Sequence, residues 1–245
     1  LDGNKEIVFS SKDKHLYIFN QFGLIGSYDA ASWLISTPVI GNIDDDDELE
    51  IIIGGFSSSG KKIYAINHDL TSVEGFPLDI NEKIYSGISL YDFNNNGKDD
   101  IVVGTDSKKI HLIYDDGTTA SGFPFEGSDK FRVSPLIVNY NDTIIIIACT
   151  KDGHIYGIDA NGQLLFDINT GFEINSSPSI NIENSQLYIY TGNENGDVYA
   201  FSASGIIKNG FPINLNFPIV DSIMFSDLDN DNQNEMIITD NIGNL

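Results

Sequence analysis

Five segments of this chain repeat one another: HLYIFNQFG from His15, KIYAINHDL from Lys62, KIHLIYDDG from Lys109, HIYGIDANG from His154 and DVYAFSASG from Asp197. Their first apolar residues, Leu16, Ile63, Ile110, Ile155 and Val198, follow one another at 47, 47, 45 and 43 residues. Three positions further on stands Phe19, Ile66, Ile113, Ile158 or Phe201, and four copies then close on a glycine, Gly23, Gly117, Gly162 or Gly205. Self-similarity at about 40 to 50 residues belongs to propellers and solenoids. A run rich in Tyr and Ile that ends in an Asx and Gly turn reads as a strand. No stretch keeps a 3.6-residue apolar period over ten or more positions, which argues against a helical repeat.

Other markers keep the same beat. GFP occurs at Gly75, Gly122 and Gly210, and Ser-Pro or Thr-Pro at Thr37, Ser134 and Ser177, each just before a short apolar run. Every repeat therefore reads as four strands: a first (TPVIG, SPLIV, SPSIN), a second (EIIIGG, DIVVGT, TIIIIA, LYIYTG), the Tyr-rich third, and a shorter fourth running toward GFP. Four short antiparallel strands make one propeller blade. The expected fold is all-β, a β-propeller of four-stranded blades. Its repeats fall at about 1–35, 36–85, 86–133, 134–175, 176–221 and, in part, 222–245, in one propeller domain or a fragment of one. Second-strand material stands near both ends, EIVF from Glu6 and EMII from Glu235. That favours an internal piece of a six- to eight-bladed ring over a closed ring of five.

The hairpin between the first and second strands holds the chemistry. It reads NIDDDDELE from Asn42, DFNNNGKDD from Asp92 and DLDNDNQNE from Asp227. Oxygen-bearing side chains fall at positions 1, 3, 5 and 9 of each: Asn42, Asp44, Asp46 and Glu50; Asp92, Asn94, Asn96 and Asp100; Asp227, Asp229, Asp231 and Glu235. A tight loop turning alternate side chains inward converges them on one point, and a hard cation such as Ca²⁺ asks for six to eight oxygens at about 2.3 to 2.6 Å. Position 7, Glu48, Lys98 or Gln233, would contribute its carbonyl, leaving its side chain free to vary. Position 6, Asp47, Gly97 or Asn232, is of a type that tolerates a left-handed backbone. The spacing differs from an EF-hand, whose closing Glu comes at position 12 between helices. LDGNKE at Leu1 is a possible fourth copy, so two to four Ca²⁺ sites are expected. NYNDT from Asn139 and NIENSQ from Asn181 are shorter and poorer in acids, and their hairpins close without an ion.

These loops, with the DGHIYGIDANG or GDVYAFSASG and the GFP that follow, resemble the bacterial FG-GAP/VCBS-type repeat family, related to the integrin alpha-chain propeller. The resemblance runs over essentially the whole chain. It implies a Ca²⁺-bound β-propeller on a secreted or surface-exposed bacterial protein, serving adhesion, ligand recognition or an attached catalytic module. The chain departs from the integrin form in lacking Gly-Ala-Pro after the second strand, where it has Gly54-Gly55, Gly104-Thr105 and Thr239-Asp240. Integrin-like ligand binding is therefore not carried over.

Thirteen basic against thirty-six acidic residues give a net charge of −23, which repels phosphate backbones and anionic membrane surfaces. Nucleic acid is set aside as a partner, and the longest apolar run, IIIIAC from Ile144, is too short to cross a bilayer. One cysteine, Cys149, excludes an internal disulfide framework and reads as a small buried strand residue. GxSxG, HExxH, CxxC and GxGxxG are absent, and His15, His111 and His154 all lie within one residue of the same third-strand position, as ordinary strand residues do. The expectation is a non-enzymatic calcium-binding module, monomeric within a larger chain, in the periplasm, at the cell surface or outside the cell, recognising a protein or glycan. Two alternatives stay open: the propeller domain of a secreted enzyme such as a polysaccharide lyase or quinone-dependent dehydrogenase, and a periplasmic scaffold.

Overall fold

Alternating Ile, Val and Tyr with Gly and Asx turns between them leave the chain few options besides short antiparallel strands, and a computed structural model shows them. It describes residues 5–46, 48–57, 60–141 and 143–243, and among these there are strands and no helix. The Leu1 loop begins outside the described residues, as do the Asp47 backbone of the first acidic loop and Asp142 in the short NYNDT hairpin.

Two compact units divide the chain, Leu1–Pro124 and Phe125–Leu245. In the first, β1 (Ile7–Ser10), β2 (His15–Asn20) and β3 (Gly23–Asp29) form a three-stranded sheet in chain order. A four-stranded sheet follows, from β4 (Val39–Gly41), β5 (Glu50–Gly54), β6 (Lys62–Ile66) and β7 (Leu78–Asp79), and then β8 (Ile88–Tyr91), β9 (Asp100–Gly104) and β10 (Lys109–Ile113) pair in the same order. The second unit opens with the two-residue β11 (Phe125–Glu126). It holds the four-stranded sheets β12 (Leu136–Tyr140), β13 (Thr143–Cys149), β14 (His154–Asp159), β15 (Leu164–Asn169), and β16 (Ser179–Glu183), β17 (Gln186–Gly192), β18 (Asp197–Ser202), β19 (Ile213–Asn214). It ends on a two-stranded pair, β20 (Met224–Ser226) with β21 (Glu235–Ile237).

Register shows why these second strands are apolar throughout rather than alternating: the second and fifth sheets are covered on both faces. Ile51 pairs with Ile66 and Ile53 with Tyr64, and this side of the sheet packs on Leu16 and Ile18 of the sheet before it. Ile52 and Ala65 point the other way with Ile63, onto Ile101, Val103 and Ile113 of the sheet after it. The second unit repeats the arrangement. Ile147, Cys149 and Ile155 meet Ile189 and Phe201, while Tyr190, Val198 and Ala200 meet Phe225, Met236 and Ile238. Burial of such side chains at about 25 cal/mol per Å² is what holds one sheet to the next.

The fourth strand needs a correction. Sequence reading ends it at GFP, whereas in the structure the pairing straddles that tripeptide. Ile66 bridges Ser72 and Phe201 bridges Ile207, the chain turns through Gly75 (φ +85°) or Gly210 (φ +89°), and the two-residue strands β7 and β19 come only after Pro77 and Pro212. Proline has no N–H to give a ladder, so it interrupts the strand instead of closing it. Where no GFP stands in the way, β3 and β15 run for seven and six residues, each with a single register shift opposite Ile18/Phe19 or Gly157/Ile158.

Candidate metal centre

The three acidic loops leave β4, β8 and β20 and return into β5, β9 and β21, as the spacing predicts. Their backbones are shaped by their own side chains. In the loop from Asp227, the position-5 amide, Asp231 N, donates to Asp227 Oδ1 and Asp229 Oδ1, both at 3.1 Å. Asn232 N donates to Asp227 Oδ2 at 2.9 Å and Gln233 N to Asp231 Oδ1 at 2.7 Å. The loop from Asp92 makes the same set: Asn96 N to Asp92 Oδ1 and to Asn94 Oδ1, Gly97 N to Asp92 Oδ2, and Lys98 N to Asn96 Oδ1. Position 6 is left-handed, Gly97 at φ +88° and Asn232 at +68°, and so is position 4, Asn95 at +58° and Asn230 at +64°, which sequence reading missed although Asn is the residue type to suspect there.

Position 9 does the same work in all three loops. Glu50 Oε2, Asp100 Oδ2 and Glu235 Oε2 accept the amide of position 2 from Ile43, Phe93 and Leu228 at 2.9, 2.9 and 2.6 Å. Glu50 is 1% exposed and Asp100 is fully buried. Burial raises the Glu50 carboxyl above its ordinary range against the bond from Ile43 N, and the charges of Asp44 and Asp46 push it further. Asp100 is raised by burial in the same way, with Asp115 and Asp92 adding to it.

Convergence is met in two loops. One carboxylate oxygen each from Asp44, Asp46 and Glu50 lie within 4.8 Å of one another, and so do oxygens of Asp227, Asp229 and Glu235. Either cluster can hold a metal ion. The second group forms without Asp231, whose Oδ2 takes the Gln233 amide nitrogen at 3.1 Å. In the first loop the Oδ1 of Asn42, at position 1, is buried with no hydrogen-bond partner among the described residues. The side chains of Glu48 and Asn42 thus behave differently: Glu48 turns out to His68 Nδ1 at 2.5 Å, while the amide oxygen of Asn42 is an acceptor shut away from water.

The loop from Asp92 is built otherwise. Two of its four ligand positions, Asn94 and Asn96, are neutral, and a cation of the chain's own is close by. Lys98 Nζ lies 2.9 Å from Asp115 Oδ2 and 3.1 Å from Asp45 Oδ1, and Asn96 Nδ2 donates to Asp115 Oδ1 at 2.8 Å. Burial would raise Asp115, but Lys98 and Asn96 hold it below the usual carboxylate range. Asp115 comes from the turn after β10 and was not among the residues picked out by spacing; its only sequence signal is the DDG turn. Asp99 ties this loop to the first one, its Oδ2 accepting Asn42 N at 3.1 Å.

Two of the histidines are paired away from these loops. His111 Nε2 is 3.1 Å from Glu82, and His154 Nδ1 is 2.8 Å from Asp167 with its ring stacked on Tyr156. Both sit on strands with partners, as the sequence leads one to expect of His111 and His154.

No protein-family profile matches the chain, and no curated protein does. Solved structures do resemble it. BBS1N, a β-propeller, in complex with ARL6DN and soaked with lead superposes with a TM-score of 0.68 at 16% identity over 98% of this chain and 73% of that one. The mercury-soaked form gives 0.69 at 16% identity over 98% and 71%. The computationally designed Ika8 protein gives 0.60 at 14% identity over 93% and 64%. At such identities the likeness shows the fold alone: antiparallel sheets of the β-propeller kind.

Proposed function

We propose that the chain is a non-enzymatic, calcium-binding β-propeller module of a secreted or cell-surface protein that recognises a protein or glycan. The observation that carries the calcium reading is the first loop, where three carboxylates converge beside the buried, unpartnered Oδ1 of Asn42. All four donors are oxygens, the set a hard divalent cation takes. The loop from Asp227 supplies a second site of like charge. The loop from Asp92 is the least charged of the three, with Asn94 and Asn96 at two of its four ligand positions and Lys98 held nearby by Asp115 and Asp45. Calcium would neutralise carboxylates that otherwise repel at about 1 kcal/mol per pair even in bulk water.

Sites of this kind in extracellular modules bind at about 0.1 to 1 mM, which keeps them filled outside cells and not in the cytosol. Recognition is assigned to the module by elimination of a catalytic site and by analogy with BBS1N, which was solved on a protein partner. Differential scanning calorimetry with millimolar calcium against excess chelator tests the metal. An unchanged melting temperature sinks it. Binding to immobilised glycans and to envelope proteins in calcium, lost in chelator, tests the recognition; turnover of a pectic polymer by the pure chain would overturn the non-enzymatic reading.

A further inference from the structure

Within the second unit a cavity of about 720 Å³ lies between the fourth sheet (β12 to β15) and the fifth (β16 to β19). Its walls are Tyr140, Ile145, Leu187, Ala203 and Ile207, which belong to the apolar cluster that holds these two sheets together. Ile145, Leu187 and Ala203 are 4, 5 and 9% exposed. Thr143, Gln186 and Asn209 stand exposed at the mouth. Among the described lining residues Lys208 alone is charged, and its ammonium is held by Glu183 Oε2 at 2.5 Å and by Tyr190 Oη at 2.9 Å.

The cavity stands where other repeats build their acidic loops. Aligned on Ile63 and Ile155, Tyr140 takes the place of Ile43, and Ile145 that of Glu50. In the second sheet the acidic loop closes this end: Ile43 is 2% exposed and packs with Leu90 of the third sheet. A Cβ on Gly41 would lie 2.4 Å from Leu90 Cδ1 and 2.5 Å from Asp99 Oδ2, and the same Asp99 oxygen accepts Asn42 N at 3.1 Å. The fourth and fifth sheets have no such loop. Tyr140 pairs with Thr143 at a tight turn, and β16 and β17 are joined by Asn184 and Ser185 alone, both left-handed. Hairpins this short leave the space between the two sheets open at that end.

We propose that this cavity binds a small uncharged molecule with an apolar body and a hydroxyl or amide end. A concave site of about 300 to 1,000 Å³, apolar in its walls and carrying a few polar groups at fixed places, is the form that small-ligand sites take. The body is apolar because Ile145, Leu187, Ala203 and Ile207 offer side chains no hydrogen bond: a sugar pushed among them would leave its hydroxyls unsatisfied. The polar end is met at the mouth by the Thr143 hydroxyl and the amides of Gln186 and Asn209. The molecule is uncharged because an ion would shed its water on entering apolar walls whose one described charge, Lys208, is already paired. An anion would in addition meet the net charge of −23. This site goes beyond the protein or glycan recognition proposed above and is independent of calcium, since neither sheet carries an acidic loop.

Fluorescence titration of the 245-residue chain with N-phenyl-1-naphthylamine, an uncharged aromatic probe with one N–H, tests it. Emission should rise and saturate at one probe per chain, and 1-anilinonaphthalene-8-sulfonate, the same skeleton with a negative charge, should bind about tenfold more weakly or worse. Ala203→Phe fills the cavity and Ile207→Asp puts a charge in its wall, so each should weaken binding about tenfold or more. Phe22→Asp, at an exposed apolar residue between β2 and β3, should leave it unchanged. Circular dichroism checks that the variants fold, and Thr143→Trp, which lays a ring across the exposed mouth, replaces either pocket variant that does not. Emission that never saturates, uptake at many sites, equal affinity for the sulfonate, pocket variants that bind like the parent, or displacement of the probe by cellohexaose, the mark of a sugar site, would overturn the proposal.

Discussion

Glu82 shows how a carboxylate far from any ion site is kept charged. It accepts Thr105 Oγ1 at 2.6 Å, Lys109 Nζ at 3.1 Å and His111 Nε2 at 3.1 Å. Burial alone would raise its pKa, but these partners hold it below the ordinary glutamate value. A folded pKa lower than the unfolded one means that the unfolded chain takes up the proton first as pH falls. The stability Glu82 contributes is thus complete above the ordinary glutamate range and disappears as pH drops through the lowered value. Glu82→Gln should cost about 2 kcal/mol at pH 7 in urea unfolding, a charged hydrogen-bond network's worth, with the gap to the parent closing in acid. The pairing was not legible in the sequence, because its partners lie 23 to 29 residues further along the chain. Cys149 was legible. It lies in β13 with its thiol pushed up to about 12 by burial, so a thiol reagent should label it at the rate of unfolding and not before.

At the scale of the element, the acidic hairpins followed from spacing because alternation is a local rule: it brings Asp44, Asp46 and Glu50 together in one loop and Asp227, Asp229 and Glu235 in another. Even so, spacing alone treated the three loops as alike. The difference between them comes from Lys98 and Asp115, and the second of these is brought in by strand pairing that no local rule reveals. Glu50→Gln separates the two costs of a buried carboxylate. In chelator it should melt no lower than the parent, since a charge disfavoured by burial and by Asp44 and Asp46 has been removed, while calcium uptake at that loop is lost. GFP was read as a strand end and is an interruption. Gly75 has open space where a Cβ would stand, so Gly75→Ala should cost about 1 to 2 kcal/mol from its φ of +85° alone, measured by the shift in urea midpoint.

At the scale of the whole molecule, the succession of antiparallel sheets, the strand order within them and the apolar second strands were readable from the 43- to 47-residue repeat. The division into two compact units was not, since the repeats run across Pro124 without a change of pattern. Each unit carries one of the carboxylate clusters, Asp44 to Glu50 in the first and Asp227 to Glu235 in the second. On the proposed reading calcium would act on both. With affinities of about 0.1 to 1 mM, 10 mM calcium adds roughly 1.4 to 2.7 kcal/mol per site through linkage, or about 3 to 10 °C in melting temperature. Isothermal titration calorimetry of the chelator-stripped chain with CaCl₂ tests the account most directly. Two ions should bind per chain, falling to one in Glu50→Gln and one in Glu235→Gln; a titration without heat or saturable uptake in the parent, or one indifferent to both substitutions, would contradict it.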